Sequence, residues 1–280
     1  MKGKTCIVTG ASSGIGKVIA LGLAKLGASV IAVCRDQGRG EATVAEIKAA
    51  SANNDVSLML CDLTSQASIR DFTSRFSAEH GKLHVLVNNA GLIIGKRELT
   101  VDGLEHTFAL NHLGYFMVTN LLLDVLKASA PARIVSVASE AERMGKIDFD
   151  NLQGERSYRG LRAYGSSKLA NIIFTYDLAR RLEGTGVTAN AVHPGPVATN
   201  FGQTGGAVMR FVTRAFAGFM LTPEQGAETA IYLASSPEVE GVTGKYFTKK
   251  KEIRSIKQSY DPEVQRRLWE VSARLTGLAA

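Results

Sequence analysis

Cysteine is scarce in this 280-residue chain, and long apolar runs are missing altogether. The three cysteines, Cys6, Cys34 and Cys61, are odd in number and show no C-x-x-C spacing, which argues against a disulfide framework and against thiolate metal or redox sites. Each falls in or at the end of a strand-like run, as reduced core residues of a cytoplasmic protein do. No metal is expected. No apolar stretch reaches the roughly eighteen residues needed to span a bilayer, and the first strand-like run begins at about Lys4, leaving no room for a signal peptide. A cytoplasmic location is therefore the expectation. Low-complexity tracts are also absent, as are internal repeats beyond a strand and helix alternation.

Acidic charge is in deficit, with a formal net charge of +7, but the excess is local: residues 245–267 carry eight Lys or Arg against three acids. A basic stretch of this kind reads as a solvated face, with contact to an anionic membrane surface as the alternative. No nucleic-acid partner is expected, because the aromatic or helix motifs that read bases are not there.

What the chain does have is 45% hydrophobic residues, enough for one large core. Short runs rich in Val, Ile and Leu recur at 4–9, 29–34, 55–61, 83–88, 132–138, 187–193 and 242–247, separated by stretches of helical periodicity. Apolar runs of strand length without polar alternation indicate a parallel sheet covered on both faces. The predicted fold is doubly wound α/β, a Rossmann-like parallel sheet of about seven strands in a single domain over residues 1–280. Two connections break the rhythm, a charged one at 140–160 and a Gly- and Phe-rich one at 198–221, and both follow strands at the edge where ligands sit. The second reads as a substrate lid: Phe201, Phe211, Phe216, Phe219, Met209 and Met220 supply apolar surface and Gly202, Gly205, Gly206 and Gly218 let the backbone bend. Two ordinary packed helices are the alternative. Residues 249–280 form a basic C-terminal extension with a terminal helix over 262–276, opened by Asp261-Pro262.

Directly after the first strand stands Thr9-Gly10-Ala11-Ser12-Ser13-Gly14-Ile15-Gly16, followed by a helix that runs to Gly27. Glycines are needed in such a loop because a Cβ would keep the backbone from closing on a pyrophosphate, whose charge is met by free N–H groups at the helix N-terminus. Gly10, Ser12, Ser13, Gly14, Ile15 and Gly16 are thus candidate cofactor contacts. At the end of the second strand, where an acid would accept from a ribose 2′-hydroxyl, Cys34 is followed by Arg35. A guanidinium pairs bidentately with a 2′-phosphate, so NADP(H) is expected, with NAD(H) kept as the alternative by nearby Asp36.

Moving hydride to a carbonyl builds charge on oxygen, which calls for a proton donor, a polarising hydroxyl and a cation to tune the donor. Tyr164 and Lys168 stand at i and i+4 on a helix and share a face. The same spacing at Tyr246 and Lys250 begins on a strand, where the side chains would lie about 13 Å apart, and is discarded. Ser139 ends the fifth strand, within reach of a substrate oxygen, whereas Ser136 lies inside it; a cap is the structural alternative for Ser139. Asn111 sits in an otherwise apolar helix from Gly103 to about Lys127, where Asn needs a reason to be buried.

The three-residue gap between Gly10 and Gly14, Asn88-Asn89-Ala90-Gly91, Tyr164-x-x-x-Lys168 and Pro194-Gly195 stand in the order of the short-chain dehydrogenase/reductase family, which residues 4–248 resemble. Asp148-Phe149-Asp150-Asn151-Leu152, Ser167-Lys168-Leu169-Ala170-Asn171 and His193-Pro194-Gly195 resemble the branch with retinol dehydrogenases and the oxidoreductase domain of WW-containing proteins. The vertebrate retinol enzymes' N-terminal membrane anchor is not in this sequence. The resemblance implies an enzyme interconverting carbonyl compounds and alcohols, with Asn111, Ser139, Tyr164 and Lys168 catalytic. It further implies Asp62 and Leu63 beside adenine, Asn89 beside the adenosine ribose, Val197 and Thr199 beside the nicotinamide carboxamide, and Ala90, Gly91, Pro194 and Gly195 as further cofactor contacts. Lys168 would also hold the nicotinamide ribose, and Asn111 a water linking Lys168 to solvent. Asp62 has a second reading, as a helix cap. The composition of residues 200–221 leads to the expectation of a lipophilic substrate, with peripheral membrane contact through Arg210 and Arg214 as an alternative use of that segment; a homodimer or homotetramer is a further expectation. The rival from another class is a non-catalytic dinucleotide sensor or scaffold of the same fold.

Overall fold

A computed structural model describes residues 1–196 and 221–279. Seven parallel strands form its centre: β1 (Thr5–Thr9), β2 (Ser29–Cys34), β3 (Val56–Leu60), β4 (Val85–Asn88), β5 (Ala132–Val137), β6 (Val187–Val192) and β7 (Lys245–Thr248). Central strands such as Val85–Asn88 are buried at every residue, which is why their sequences run apolar instead of alternating. The strand order is β3-β2-β1-β4-β5-β6-β7-β8, so the chain reverses its direction of travel between β1 and β4. That reversal opens a crevice beyond the carboxyl ends of these two strands, where ligands bind in sheets of this kind.

The eighth strand, β8 (Lys251–Ile253), was not among the sequence expectations and pairs antiparallel with β7. Lys249 and Lys250 form the turn between them, at φ 49° and 61°, a conformation usually left to Gly or Asn. The basic excess of this region is partly spent in surface ion pairs, Lys245 with Glu252 and Lys250 with Glu228.

Helices α1 (Gly14–Lys25) and α2 (Gln37–Ser51) cover one face of the sheet, and α3 (Gln66–Glu79) lies on the other. The predicted helix over residues 103–127 begins instead at His106. Gly103 adopts φ 73°, and the Glu105 carboxylate caps the backbone N–H groups of Thr107 and Phe108 at 2.8 and 2.7 Å. It runs as α4 (His106–Phe108), a π-helical turn (Ala109–Leu113), α5 (Gly114–Leu121) and α6 (Leu123–Ala128). Asn111 sits inside the π turn, a device frequent at functional sites. Beside α5 lies α7 (Gly160–Arg181), and α8 (Pro223–Ser235) packs against α1 on the opposite face. The last helix, α9 (Pro262–Thr276), is capped by Asp261 as its sequence implied and docks on α7. None of the described helices is long and apolar enough to cross a membrane.

Candidate active site

The glycine loop leaves β1 at the crevice. Gly10 and Gly14 adopt φ 65° and 55°. A Cβ on Gly10 would lie 2.8 Å from the Ala90 Cα, and one on Gly16 would strike Asn89 and the Gly10 carbonyl. Glycine is therefore required by close approach between this loop and the one after β4. Ser13, in extended conformation, makes no side-chain cap on α1, and the first turn of α1 holds no acid, so its N–H groups face the crevice uncompensated. Ser12 is tied to α2 by the Thr43 hydroxyl, which donates to its carbonyl at 3.2 Å.

Asn89 lies against this loop with its side chain already committed. Its Nδ2 donates to the Thr9 carbonyl at 2.9 Å, while its backbone N–H donates to Thr9 Oγ1 at 2.9 Å, and Ala90 N–H shares that hydroxyl. Thr9, not singled out from sequence, is thus the clasp between the two loops. Arg35 is exposed at the end of β2. Asp36, the counter-argument for NAD(H), accepts from Arg39 N–H at 2.8 Å as the cap of α2. Arg39 itself adds a second cation beside Cys34, whose thiol burial pushes up to about 11. Asp62 accepts from the backbone N–H and hydroxyl of Thr64 at 2.9 and 2.7 Å, and the cap of α3 is Ser65. Leu63 turns its side chain into the core.

The chemical groups meet at the carboxyl end of β5. Tyr164 is buried on α7, and Ser139, the second residue beyond β5, hydrogen-bonds to it while also capping a 3-10 turn (Glu140–Met144). The cap reading of Ser139 is thus met, and its hydroxyl also lies against Tyr164. Lys168 Nζ donates to the Val137 carbonyl at 2.9 Å and sits 5.7 Å from the Tyr164 ring centroid. Burial pushes the Lys168 ammonium down to about 7 and the Tyr164 phenol up to about 12, the latter opposed by Ser139. The depression of the phenol that was expected from Lys168 is not what this arrangement expresses: the cation lies over the ring, and desolvation outweighs it. No carboxylate pairs with Lys168 among the described residues.

Asn111 accepts from Leu92 N–H at 2.9 Å and donates to the Leu92 carbonyl at 2.9 Å and to Ser167 Oγ at 3.0 Å, so its side chain clamps the loop following Gly91. A Cβ on Gly91 would come within 3.2 Å of both Asn111 Oδ1 and Lys168 Nζ. Two glycines missed in the sequence bring the 3-10 turn onto α7: a Cβ on Gly165 would lie 2.5 Å from the Ala141 carbonyl, and one on Gly145 2.5 Å from the Gly165 carbonyl. Gly195, at φ 88°, follows Pro194, and its N–H donates to His193 Nδ1 at 2.9 Å. Val197, Thr199 and the predicted lid lie outside the described residues, apart from Leu221, whose N–H donates to the Pro196 carbonyl at 2.7 Å. A cavity of about 980 Å³ opens at the opposite, amino ends of the strands beside Lys4 and Arg133 and is remote from this chemistry.

The family model of the short chain dehydrogenases matches residues 4–207. The chain belongs to the short-chain dehydrogenase/reductase family. Its chemistry is that of oxidoreductases acting on alcohol and carbonyl groups. Retinol dehydrogenase 12 of Mus musculus is 44% identical over 99% of this chain and 87% of its own length. A solved protein from Mycobacterium paratuberculosis superimposes with a TM-score of 0.81 at 31% identity, over 99% of this chain and 94% of the other. A short chain dehydrogenase of Burkholderia cenocepacia, solved in complex with NADP, gives a TM-score of 0.72 at 28% identity, over 88% and 96%. The resemblance read from the Gly10, Asn89, Tyr164 and Pro194 motifs is thus met over nearly the whole chain.

Proposed function

We propose that this protein is an NADP(H)-dependent oxidoreductase that interconverts a lipophilic aldehyde or ketone and its alcohol, with Tyr164 as acid and base. The observation that carries the reading is the placement of buried Tyr164, Ser139 and Lys168 together beyond β5, across the crevice from an uncapped glycine loop. These residues fit a dinucleotide: α1 presents its first N–H groups with no side-chain cap and no acid, Gly10 and Gly16 let its loop close on the one after β4, and Lys168 is a buried cation that no carboxylate pairs with among the described residues. Gly10, Ser12, Ser13, Gly14, Ile15 and Gly16 would hold the pyrophosphate, Arg35 a 2′-phosphate, and Lys168 the nicotinamide ribose. The bound nicotinamide supplies the hydride in reduction and takes it up in oxidation.

In the reducing direction Ser139 Oγ donates a hydrogen bond to the substrate oxygen and Tyr164 Oη donates the proton that turns the developing alkoxide into an alcohol. In the oxidising direction the same phenol oxygen takes that proton. Lys168 holds positive charge beside the phenol and steadies the phenolate left after donation. Asn111 positions the loop at Leu92, and by the family resemblance would hold a water linking Lys168 to solvent. Arg35 and a neighbour solved with NADP support the phosphorylated cofactor. The Phe- and Met-rich composition of residues 198–221 and a relative named for retinol support a lipophilic substrate.

A turnover screen of aldehydes and ketones of increasing apolar size, with NADPH and NADH in parallel, tests this. Consumption of NADPH in preference to NADH, with efficiency rising with apolar size, is the expected result. Tight nicotinamide binding with no turnover of any carbonyl or alcohol would instead make the chain a dinucleotide sensor.

A further inference from the structure

Beneath Lys168, between the sheet and the helices that carry Asn111 and Tyr164, lies a set of buried polar groups that the reaction as described leaves unused. Asn88 and Ser136 are register partners on β4 and β5, so their side chains leave the same face of the sheet. On that face Leu86 and Ile134, two residues earlier on each strand, belong to the core under α5 and α7. Asn88 Nδ2 donates to the Thr119 hydroxyl of α5 at 2.9 Å, which fixes the direction of its amide. Tyr115 lies one turn before Thr119, on the same side of α5, and Lys168 Nζ sits 5.4 Å from the centroid of its ring. Ser136 directly precedes Val137, whose carbonyl accepts from Lys168 Nζ.

Three atoms in this layer, Asn88 Oδ1, Ser136 Oγ and Tyr115 Oη, find no hydrogen-bond partner among the described residues. Their residues are 0%, 1% and 1% exposed, and Lys168 is 2% exposed. One orphaned polar atom in a core of this size is ordinary. Three in one buried layer, one on the ring that faces the Lys168 ammonium and one on the residue before its carbonyl acceptor, beside a cation that no carboxylate pairs with among the described residues, are complementary to its two further N–H donors. We propose that Asn88, Ser136 and Tyr115 form an internal polar seat that holds the Lys168 ammonium in its charged form, with Tyr115 as the principal positioning residue. The ring face of Tyr115 attracts the cation, and hydroxyls that are free to rotate turn their oxygens toward it, directly or through one buried water. None of the three is among the residues assigned to cofactor or substrate, so the seat acts through the charge of Lys168. The inference rests on the proposed function for the use made of that charge, but not for the existence of the seat.

The other groups around Lys168 do not supply this role. Tyr164, on its own helix, is a neutral phenol engaged by Ser139. His112, one turn before Tyr115, is directed to Asn171 and Ser272, and burial keeps it neutral. The loop after β4 presents Asn89, Ala90 and Gly91, none of them charged.

The test reads the charge of Lys168 itself, by NMR titration of the Lys168 ¹³Cε resonance in protein labelled at lysine, without substrate. Tyr115→Phe keeps the ring and removes only the hydroxyl, and Ser136→Ala removes a second acceptor with little change of volume. Each is expected to lower the Lys168 midpoint, Tyr115→Phe by about one pH unit and Ser136→Ala by less, and Tyr115→Phe is expected to lower the urea midpoint. An orphaned phenol with no such role would do the reverse: its removal would leave the titration unmoved and leave stability unchanged or raised. Unmoved midpoints in both folded variants overturn the seat, and should Tyr115→Phe not fold, the Ser136→Ala titration decides alone. A chain that fails to turn over any substrate overturns the function and leaves this titration to be read separately.

Discussion

Tyr164 and Arg35 carry the two sharpest consequences of the site at the level of single side chains. Tyr164→Phe removes only the oxygen that handles the proton and leaves a ring of the same shape in a buried position. Turnover is expected to fall about 10²- to 10⁴-fold, while cofactor affinity, read by fluorescence titration, stays near the parent's; a variant that keeps its turnover would remove Tyr164 from the mechanism. Arg35 is exposed, and no side-chain hydrogen bond or ion pair holds its guanidinium among the described residues. Arg35→Ala is therefore expected to weaken NADPH about ten- to a hundredfold, the worth of a charge-assisted pair, and NADH hardly at all. Equal losses for both cofactors would transfer the role elsewhere, and Arg39, on the first turn of α2 and close enough to Cys34 to act on its thiol, is the next cation in place.

Elements bring these side chains together through close backbone approach, and here the sequence was legible unevenly. The central strands β1, β4 and β5 could be read because burial on both faces writes largely apolar runs. β8 could not, since its turn of two left-handed lysines lacks the Asn-Gly signal of a hairpin. Tyr164, Lys168 and Ser139 were readable as chemistry, but Gly145 and Gly165, which seat Ser139 on α7, belong to no motif and show their purpose only through what a Cβ would strike. Gly165→Ala is expected to push the 3-10 turn off the helix. A displacement of about 1 Å costs on the order of 10²-fold in turnover, with cofactor affinity little changed; unchanged turnover would show that the turn yields without moving Ser139.

A second consequence at this scale concerns His112, which joins three elements. Asn171 Nδ2 donates to the Asn111 carbonyl, so its Oδ1 is left to accept from His112 Nδ1–H at 3.3 Å, and Ser272 Oγ on α9 donates to Nε2 at 2.9 Å. Burial pushes this imidazole down to about 4 from its ordinary 6.5. Between these values the unfolded chain holds a proton that the folded chain does not, so stability rises with pH through this window and is lost as pH falls from 6.5 towards 4. His112→Gln removes the titration. The gap in urea stability between parent and variant is expected to narrow, or to reverse in the variant's favour, between pH 6.5 and 4.5; a gap constant with pH would mean that His112 is not held neutral.

At the scale of the whole molecule, α9 closes the outer side of the layer whose inner side carries the chemistry. Trp269 packs on Phe116 of α5 and Phe174 of α7, with ring centroids 5.0 and 5.7 Å apart, and the Arg181 guanidinium lies 3.8 Å from its own ring centroid. Leu268, beside it, joins the cluster of Leu169 and Ile173 on α7. The sequence disclosed the helix and its Asp261-Pro262 start, but not its docking, because periodicity shows that a face is apolar without naming what covers it. Cutting Trp269 to Ala removes an aromatic anchor shared by two helices and is expected to cost about 3 to 5 kcal/mol. The lesion lies on the far side of α7 from Tyr164 Oη, so turnover at 20 °C or below, while the chain is still folded, is expected to stay within about twofold of the parent. Thermal unfolding and turnover measured on the same preparation separate the two effects. An unchanged melting temperature would mean that α9 is not docked as described. Turnover lost in step with stability would mean that the packing around α7 is part of what places Tyr164 and Lys168, so that the outer layer shapes the site.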